Sequence, residues 1–181
     1  MAERRLVIDH MKLSYEGLFD LHELYSLVNQ WLKDKGFDLR EQRNQEHVKP
    51  SGKFIELELL PWKKITDYAR HVIRINIKVL NLKDAVIEED QKRVKLNTGM
   101  INIVMDGYLD TDYEDRWESR PYYFFIRTLF DKFIYRTYST QYEELLVENV
   151  LQLHSTIKAF LNLYQYEYGA MRRPELFKGV I

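Results

Sequence analysis

The chain has 181 residues, of which 45% are hydrophobic and 30% charged, and its formal net charge is −1. This composition is too apolar for a disordered chain and predicts one globular domain. The near-zero charge provides no bulk attraction to nucleic acid or to anionic membranes. The sequence has no cysteine, which excludes disulfides, thiolate zinc sites and thiol nucleophiles and is compatible with a reducing compartment.

The amino-terminal sequence gives an expectation about localisation. Residues 1–9 lack the apolar core and the small-residue cleavage site of a signal peptide. No uncharged apolar run approaches the roughly 20 residues that a membrane helix needs. We therefore expect a cytoplasmic protein without a transmembrane segment.

A strand and an amphipathic helix are predicted at the start of the chain. Residues 6–15 alternate as a strand does, and Gly17 is expected to end that strand. From residue 18 to residue 32 apolar side chains recur at helical spacing. Gly36 is then a natural first residue beyond the helix.

Two further strands are predicted before Pro61. Residues 37–48 are polar almost throughout, so they fit only an exposed or edge strand. The sequence Pro-Ser-Gly at 50–52 is a turn signal. Residues 53–60 alternate apolar and charged side chains until Pro61 ends the strand.

Residues 69–80 have the clearest strand pattern in the chain. Their odd positions from 73 to 79 are isoleucine or valine, whereas most even positions are polar or charged. This alternation is typical of a strand with one buried face and one wet face, and we expect it to be central in the sheet. Joining it to the preceding strand around Lys64 places Glu58 opposite Arg70.

The central strand is predicted to form a long hairpin with the next strand through a three-residue loop at 89–91. This loop length sets apolar residues opposite each other and opposite charges opposite each other. The register is defined by four pairs: Arg74–Asp106, Ile75–Met105, Ile77–Ile103 and Val86–Val94.

Two helices are predicted in the carboxyl-terminal part. Residues 122–134 are apolar nearly all round. This helix is therefore buried between the sheet and the last helix, lines a cavity for an apolar ligand, or lies in a membrane interface. The last helix starts at Ser139 or Thr140 and ends at Gly169. Residues 170–181 show no periodicity and are expected to form a flexible tail.

The predicted fold class is α+β: a mostly antiparallel sheet of about five strands, with an early amphipathic helix and two carboxyl-terminal helices packed on one face. Residues 1–169 are expected to form a single domain. A sheet crossed by a long carboxyl-terminal helix is similar in topology to helix-grip, START-like ligand-binding domains, although the second early helix of those domains is missing. That resemblance implies a pocket for an apolar small molecule.

The chemistry-bearing residues form no recognisable catalytic pattern. The glycines do not form a phosphate-binding loop, no serine lies in a nucleophile elbow, and the histidines lack metal-ligand spacing. His71 lies at the end of the buried face of the central strand and is expected to be a packing residue. We therefore assign no catalytic, cofactor-binding or metal residue and predict a protein that is not an enzyme.

Charged residues near the central hairpin suggest two further sites. The acidic segment is interpreted as a solvated turn in preference to a cation site; it comprises Asp106, Asp110, Asp112, Glu114, Asp115 and Glu118. Basic side chains on the wet sheet face raise RNA binding as a weaker hypothesis. Carboxylates across the strands should neutralise those bases, so nucleic acid is a disfavoured partner.

The leading functional hypothesis is a non-enzymatic interaction or adaptor domain that binds another protein or itself. Its predicted contact surface is an apolar stripe on the wet face of the long hairpin: Leu80, Leu82, Val86, Val94, Leu96 and Met100. Either another chain covers this stripe, or the carboxyl-terminal tail folds back over it through Leu176, Phe177 and Val180. The alternative is a binding module for an apolar small molecule between the sheet and the carboxyl-terminal helices. A cavity of several hundred Å³ would favour the ligand module, and a filled core with an exposed apolar patch would favour the adaptor.

Overall fold

The computed structural model describes residues 3–50, 52–89, 92–111, 113 and 136–169. These residues form an α+β fold of six strands and two helices. The elements in chain order are β1 (Glu3–Phe19), α1 (Leu21–Asp34), β2 (Glu41–Lys49), β3 (Gly52–Leu59), β4 (Trp62–Lys64), β5 (Ala69–Glu89), β6 (Lys92–Thr111) and α2 (Arg136–Gly169). The helix predicted at 122–134 and the tail predicted at 170–181 lie outside the described residues. Among those described, no helix is long and apolar enough to cross a membrane.

All the strands belong to one antiparallel sheet, in the order β1-β6-β5-β3-β2, and β4 also pairs with β5. The predicted central position of β5 is confirmed. The polar stretch before Pro50 forms β2, which lies at one edge as its sequence predicted. β1 forms the other edge of the described sheet.

The predicted register of the central hairpin is confirmed where it crosses the core. Arg74 lies opposite Asp106, and Ile77 lies opposite Ile103. One face of the sheet, here called the helix face, carries the apolar side chains and is covered by α1 and α2; the opposite one is the outer face. The fully buried core residues include Ile73, Ile75, Val79, Ile101, Ile103 and Met105 from the sheet, Leu24, Val28 and Leu32 from α1, and Leu146, Val150, Leu153 and Ile157 from α2. Each such side chain stabilises the fold by about 1.5–3 kcal/mol through burial.

Two predictions about strand boundaries and pairing are wrong. β1 does not end at Gly17 but continues to Phe19, because Gly17 pairs with Gly99 on β6. Glu58 lies opposite Asn76 and not Arg70. The chain turns later than predicted, at residues 65–68, where the Thr66 hydroxyl accepts backbone N–H bonds from residues 68 and 69. Lys64 therefore lies within β4.

A β-bulge in β5 changes the hairpin beyond the core. The register shifts by one between Leu80 and Lys83, and Asn81 has a positive φ of 54°, a conformation that asparagine tolerates better than most residues. Val86 therefore lies opposite Lys95, and Val94 lies opposite Ile87, contrary to the predicted pairing. Two residues, at 90 and 91, separate the paired strand ends, where three were predicted.

Glycines on both neighbouring strands give the bulge the space it needs. A Cβ atom on Gly99 of β6 would lie 2.9 Å from the carbonyl oxygen of Leu80 and 3.3 Å from Cα of Leu82. On β3, a Cβ atom on Gly52 would lie 2.8 Å from the carbonyl carbon of Asn81. Backbone atoms cannot move aside as the end of a side chain can, so both positions require the smallest residue.

We expect Gly99→Ala to lower the free energy of unfolding by about 1–3 kcal/mol, since the added methyl group overpacks the bulge backbone. Gly17→Ala is the matched control. Its Cβ would meet only atoms of the Tyr15 side chain, the nearest being the hydroxyl at 2.7 Å. That side chain can rotate away at the cost of its hydrogen bond to the Leu18 carbonyl, so we expect a loss of about 1 kcal/mol. Urea denaturation of both variants measures the difference. Equal losses would contradict this account of the bulge.

Candidate functional site

A cleft of about 420 Å³ lies between α1 and the helix face of the sheet. β3 and β5 form its floor. The side chains of the floor are apolar because they alternate onto this face: Ile55, Leu57, Ile77, Val79 and Leu82. Leu82 belongs to this set only because the bulge shifts the alternation by one residue. The bulge therefore extends the apolar floor beyond the point at which strict alternation would have ended it.

One wall of the cleft is the first turn of α1, which polar contacts hold in place. The backbone N–H of Leu21 donates to Asn97 Oδ1 at 3.2 Å. Asn97 Nδ2 donates in turn to Asp84 Oδ1 at 3.1 Å. Asp20 caps the helix by accepting N–H bonds from residues 22 and 23. These bonds tie the start of α1 to the β5–β6 hairpin, so the width of the cleft is fixed at this end.

Tyr25 is the aromatic residue of the cleft wall. Its hydroxyl donates a hydrogen bond to the carboxylate of Glu41 at the start of β2. This bond raises the pKa of the Tyr25 phenol. The ring presents an apolar surface to the cleft while its hydroxyl is held at the edge.

The rim of the cleft is polar. It is formed by His22, Asn44, Glu46, Lys53, Asp84 and Asn97. Lys53 Nζ lies 3.2 Å from a Glu46 carboxylate oxygen. The cleft therefore combines an apolar floor with hydrogen-bonding and charged groups at its mouth.

The six residues predicted to form one apolar stripe are divided between the two faces. Leu82 is 5% exposed and belongs to the core, and Val86 is 61% exposed on the helix side, beyond the cleft. The other four are on the outer face and are here called the outer patch: Leu80, Val94, Leu96 and Met100. The stripe was predicted from unbroken alternation along β5, which the bulge interrupts.

The outer face also carries the basic side chains that raised RNA binding. Arg74 Nε donates to Glu58 at 2.7 Å, and Lys78 Nζ lies 3.4 Å from a Glu56 carboxylate oxygen. These pairs match the predicted neutralisation across the strands. Arg74 lies farther from Asp106, at 3.9 Å, so its main partner is Glu58.

The interpretation of the acidic segment as a solvated turn is wrong for its first two residues. Asp106 and Asp110 are each 3% exposed and lie on β6. Asp110 accepts hydrogen bonds of 2.7 and 2.8 Å from Arg4 and one of 3.1 Å from Arg70. Burial alone would raise the pKa of Asp110, but the two arginines hold it below its ordinary value. The remaining acidic residues, at 112, 114, 115 and 118, lie outside the described residues.

One group of potential metal ligands occurs among the described residues. Oxygen or nitrogen atoms of Asp9, His10 and Asp106 lie within 4.8 Å of one another. His10 has a positive φ of 51° at a bulge in β1, and its backbone N–H donates to Asp106 Oδ1 at 2.7 Å. Because that N–H and the nearby Arg74 already compensate the buried carboxylate, we assign no cation to this group.

His71 is buried on the helix face at the start of β5, as its sequence position predicted. Burial lowers the pKa of its imidazole to about 4, and the backbone of Tyr142 on α2 opposes that shift only in part. The neighbouring Lys63 ammonium lowers the pKa further. The side chain is therefore a neutral part of the core at physiological pH.

The sequence predicted Ile55, Leu57, Ile77 and Val79 on the buried face, but it placed Leu82 on the opposite face and indicated no cleft beside α1. It expected a ligand between the sheet and the carboxyl-terminal helices, whereas the cleft lies against α1. Asn97 and Asp84, which anchor α1, carry no local sequence signal because they are distant in the chain and meet only through pairing of β5 with β6. No protein-family model matches the chain, and no curated protein matches it.

Protonation of His71 should destabilise the fold in acid. The pKa is 6.5 in the unfolded chain and about 4 in the fold, so the unfolded state binds the proton first as the pH falls. The stabilisation is complete above pH 6.5, and about 3 kcal/mol is lost between pH 6.5 and pH 4. His71→Leu should flatten the dependence of unfolding free energy on pH in this window. His47→Gln, at an exposed position, should keep the wild-type slope; an unchanged slope in His71→Leu would refute the assignment.

Proposed function

We propose that the protein is a non-enzymatic cytoplasmic binding module for a small apolar molecule that carries a hydrogen-bonding group at one end. The observation that carries this proposal is the cleft between α1 and the sheet, with its apolar floor and polar rim. A volume of about 420 Å³ falls within the range of about 300–1,000 Å³ that is usual for small-molecule sites.

The cleft has the features of a preformed site. Its floor consists of side chains on two paired strands, which hold their positions without a ligand. α1 is fixed at its first residue by Asn97 and beyond its last turn by Lys63, whose Nζ donates to the carbonyl of Lys35 at 2.7 Å. Binding to a preformed site avoids most of the conformational entropy cost of ordering a loop or helix.

The rim favours a neutral or cationic ligand over an anionic one. It carries two carboxylates, from Glu46 and Asp84, and one ammonium group, from Lys53. Lys53 is paired with Glu46, and Asp84 accepts a hydrogen bond from Asn97. A ligand carboxylate would therefore face more negative than positive charge, whereas an amide, hydroxyl or amine would find acceptors.

A second candidate function, self-association through the outer patch, also has structural support. Leu80 and Met100 lie directly opposite each other in the register, and Met100 is 37% exposed. Val94, which is half-buried, follows on the same face of β6, whereas Leu96 on that face is only 4% exposed. Apolar side chains grouped on the otherwise charged face of a sheet are a common feature of protein contacts.

The cleft proposal predicts binding of the neutral fluorophore N-phenyl-1-naphthylamine with increased emission. Ile55→Trp should reduce this binding at least about tenfold, because Ile55 is a half-buried floor residue and the indole would occupy the cleft. Fluorescence titration of the purified protein measures the effect. The anionic analogue 1-anilinonaphthalene-8-sulfonate should bind more weakly than the neutral dye.

Met100→Trp is the control for the dye experiment, because it introduces the same side chain on the opposite face of the sheet. It should bind the neutral dye as the wild type does. If both tryptophan variants retain binding, or if both lose it while circular dichroism stays unchanged, the dye does not occupy the cleft and the proposal fails.

The outer patch predicts that the wild-type chain self-associates and that Val94→Glu with Met100→Glu returns it to a monomer. The circular dichroism spectrum and melting temperature should stay unchanged, since neither side chain belongs to the core cluster. Sedimentation velocity measures the association. Leu82→Glu serves only as a contrast, because a charge at that core position should unfold the protein. A monomeric wild type would exclude self-association.

A further inference from the structure

The outer edge of β1 lies beside α2 and forms a groove with it. Among the described strands, β1 pairs only with β6, so one side of its backbone faces away from the sheet. Two depressions lie between β1 and α2, with volumes of about 740 and 240 Å³, and α2 lines most of the larger one. Val7 lines the larger depression, and residues 12–15 line the smaller one. The groove lies at the β1 edge of the sheet, whereas the ligand cleft lies toward the opposite edge, which β2 forms.

The two ends of the groove carry opposite charges. Beside Val7, α2 contributes Glu144 and Glu148, both exposed, and Glu143, which pairs with Arg5 at 2.6 Å. Farther along, Lys12 of β1 and Lys158 of α2 line the smaller depression. The groove is therefore acidic toward the start of β1 and basic toward its end.

The backbone of β1 also changes along the groove: it is irregular at the acidic end and regular at the basic end. Register shifts occur between Leu6 and Ile8 and between Ile8 and Met11, and such bulges hinder the addition of another strand. From Met11 to Phe19 the pairing with β6 is uninterrupted. A regular strand at a sheet edge presents backbone N–H and C=O groups at alternate residues to an incoming strand.

We propose that this groove docks an extended segment of a partner protein, which adds to the Met11–Phe19 stretch as an antiparallel strand. The segment carries acidic residues first and basic residues afterwards. An antiparallel strand enters at the basic end of the groove and leaves at the acidic end, so this order places each charge beside its opposite. The basic residues of the docked segment contact the bulged part of β1 through side chains. The regular part of β1 provides the backbone hydrogen bonds to the rest of the segment.

A pair of designed peptides tests the charge order. The first is a capped decapeptide of two glutamates, six alternating threonines and valines, and two lysines, and the second has the two charged pairs exchanged. Heteronuclear NMR titration should show shifts of the Met11–Phe19 amides with the first peptide. The second should bind about tenfold more weakly at low salt. Equal affinities, or no shifts in this stretch, would overturn the proposal.

Backbone methylation distinguishes strand addition from simple adhesion to the groove. The first peptide is prepared in two forms. One is N-methylated at the three threonines of the central six residues, and the other at the three valines. Because alternate residues of a strand point their N–H groups to opposite sides, one form should lose binding and the other should retain it. Equal binding by both forms would show that no backbone ladder forms.

The variant Glu144→Lys with Glu148→Lys tests the acidic end. Binding of the first peptide should fall about tenfold, while N-phenyl-1-naphthylamine should bind as it does to the wild type. That second measurement separates failure of the groove from failure of the ligand cleft. Unchanged affinity for the first peptide in this variant would refute the charge assignment.

Discussion

The pairing of β5 with β6 is the constraint on which the other elements depend. The two strands are joined in a long antiparallel hairpin, and buried apolar residues such as Ile77 and Ile103 lie opposite each other on its helix face. β6 provides the ladder for β1, and β5 provides it for both β3 and β4. The face that this register selects as apolar is also the face that α1 and α2 cover. A register changed by one residue would turn each of these apolar sets toward solvent.

The sequence was sufficient to predict those parts of the fold that depend on local periodicity. The alternation from Ile73 to Val79, the apolar stripes of both described helices and the polar character of β2 are each contained in one continuous segment. The turn before β5 was misplaced because Thr66 determines it through two backbone hydrogen bonds, and a single threonine is a weak turn signal. β1 was predicted to end too early because a glycine within a strand resembles one that ends it.

The candidate sites were harder to predict because they depend on residues that are distant in the chain. The bulge at Asn81 needs glycines on β3 and β6, and no local pattern links these three positions. Asp110 is buried with a negative charge because Arg4 and Arg70 reach it from strands on both sides. A composition-based interpretation of the acidic segment as solvated could not anticipate partners that are 106 and 40 positions away. Local sequence patterns predict which residues face inward but not which distant residues meet.

The bulge in β5 has a consequence for communication within the molecule. Leu80 faces the outer patch and Leu82 faces the cleft floor, with Asn81 alone between them in the chain. Gly52 and Gly99 hold this short segment from both sides, so displacement of its backbone moves the two surfaces together. A substitution at either glycine that shifts this backbone is therefore expected to alter the outer patch and the cleft floor together.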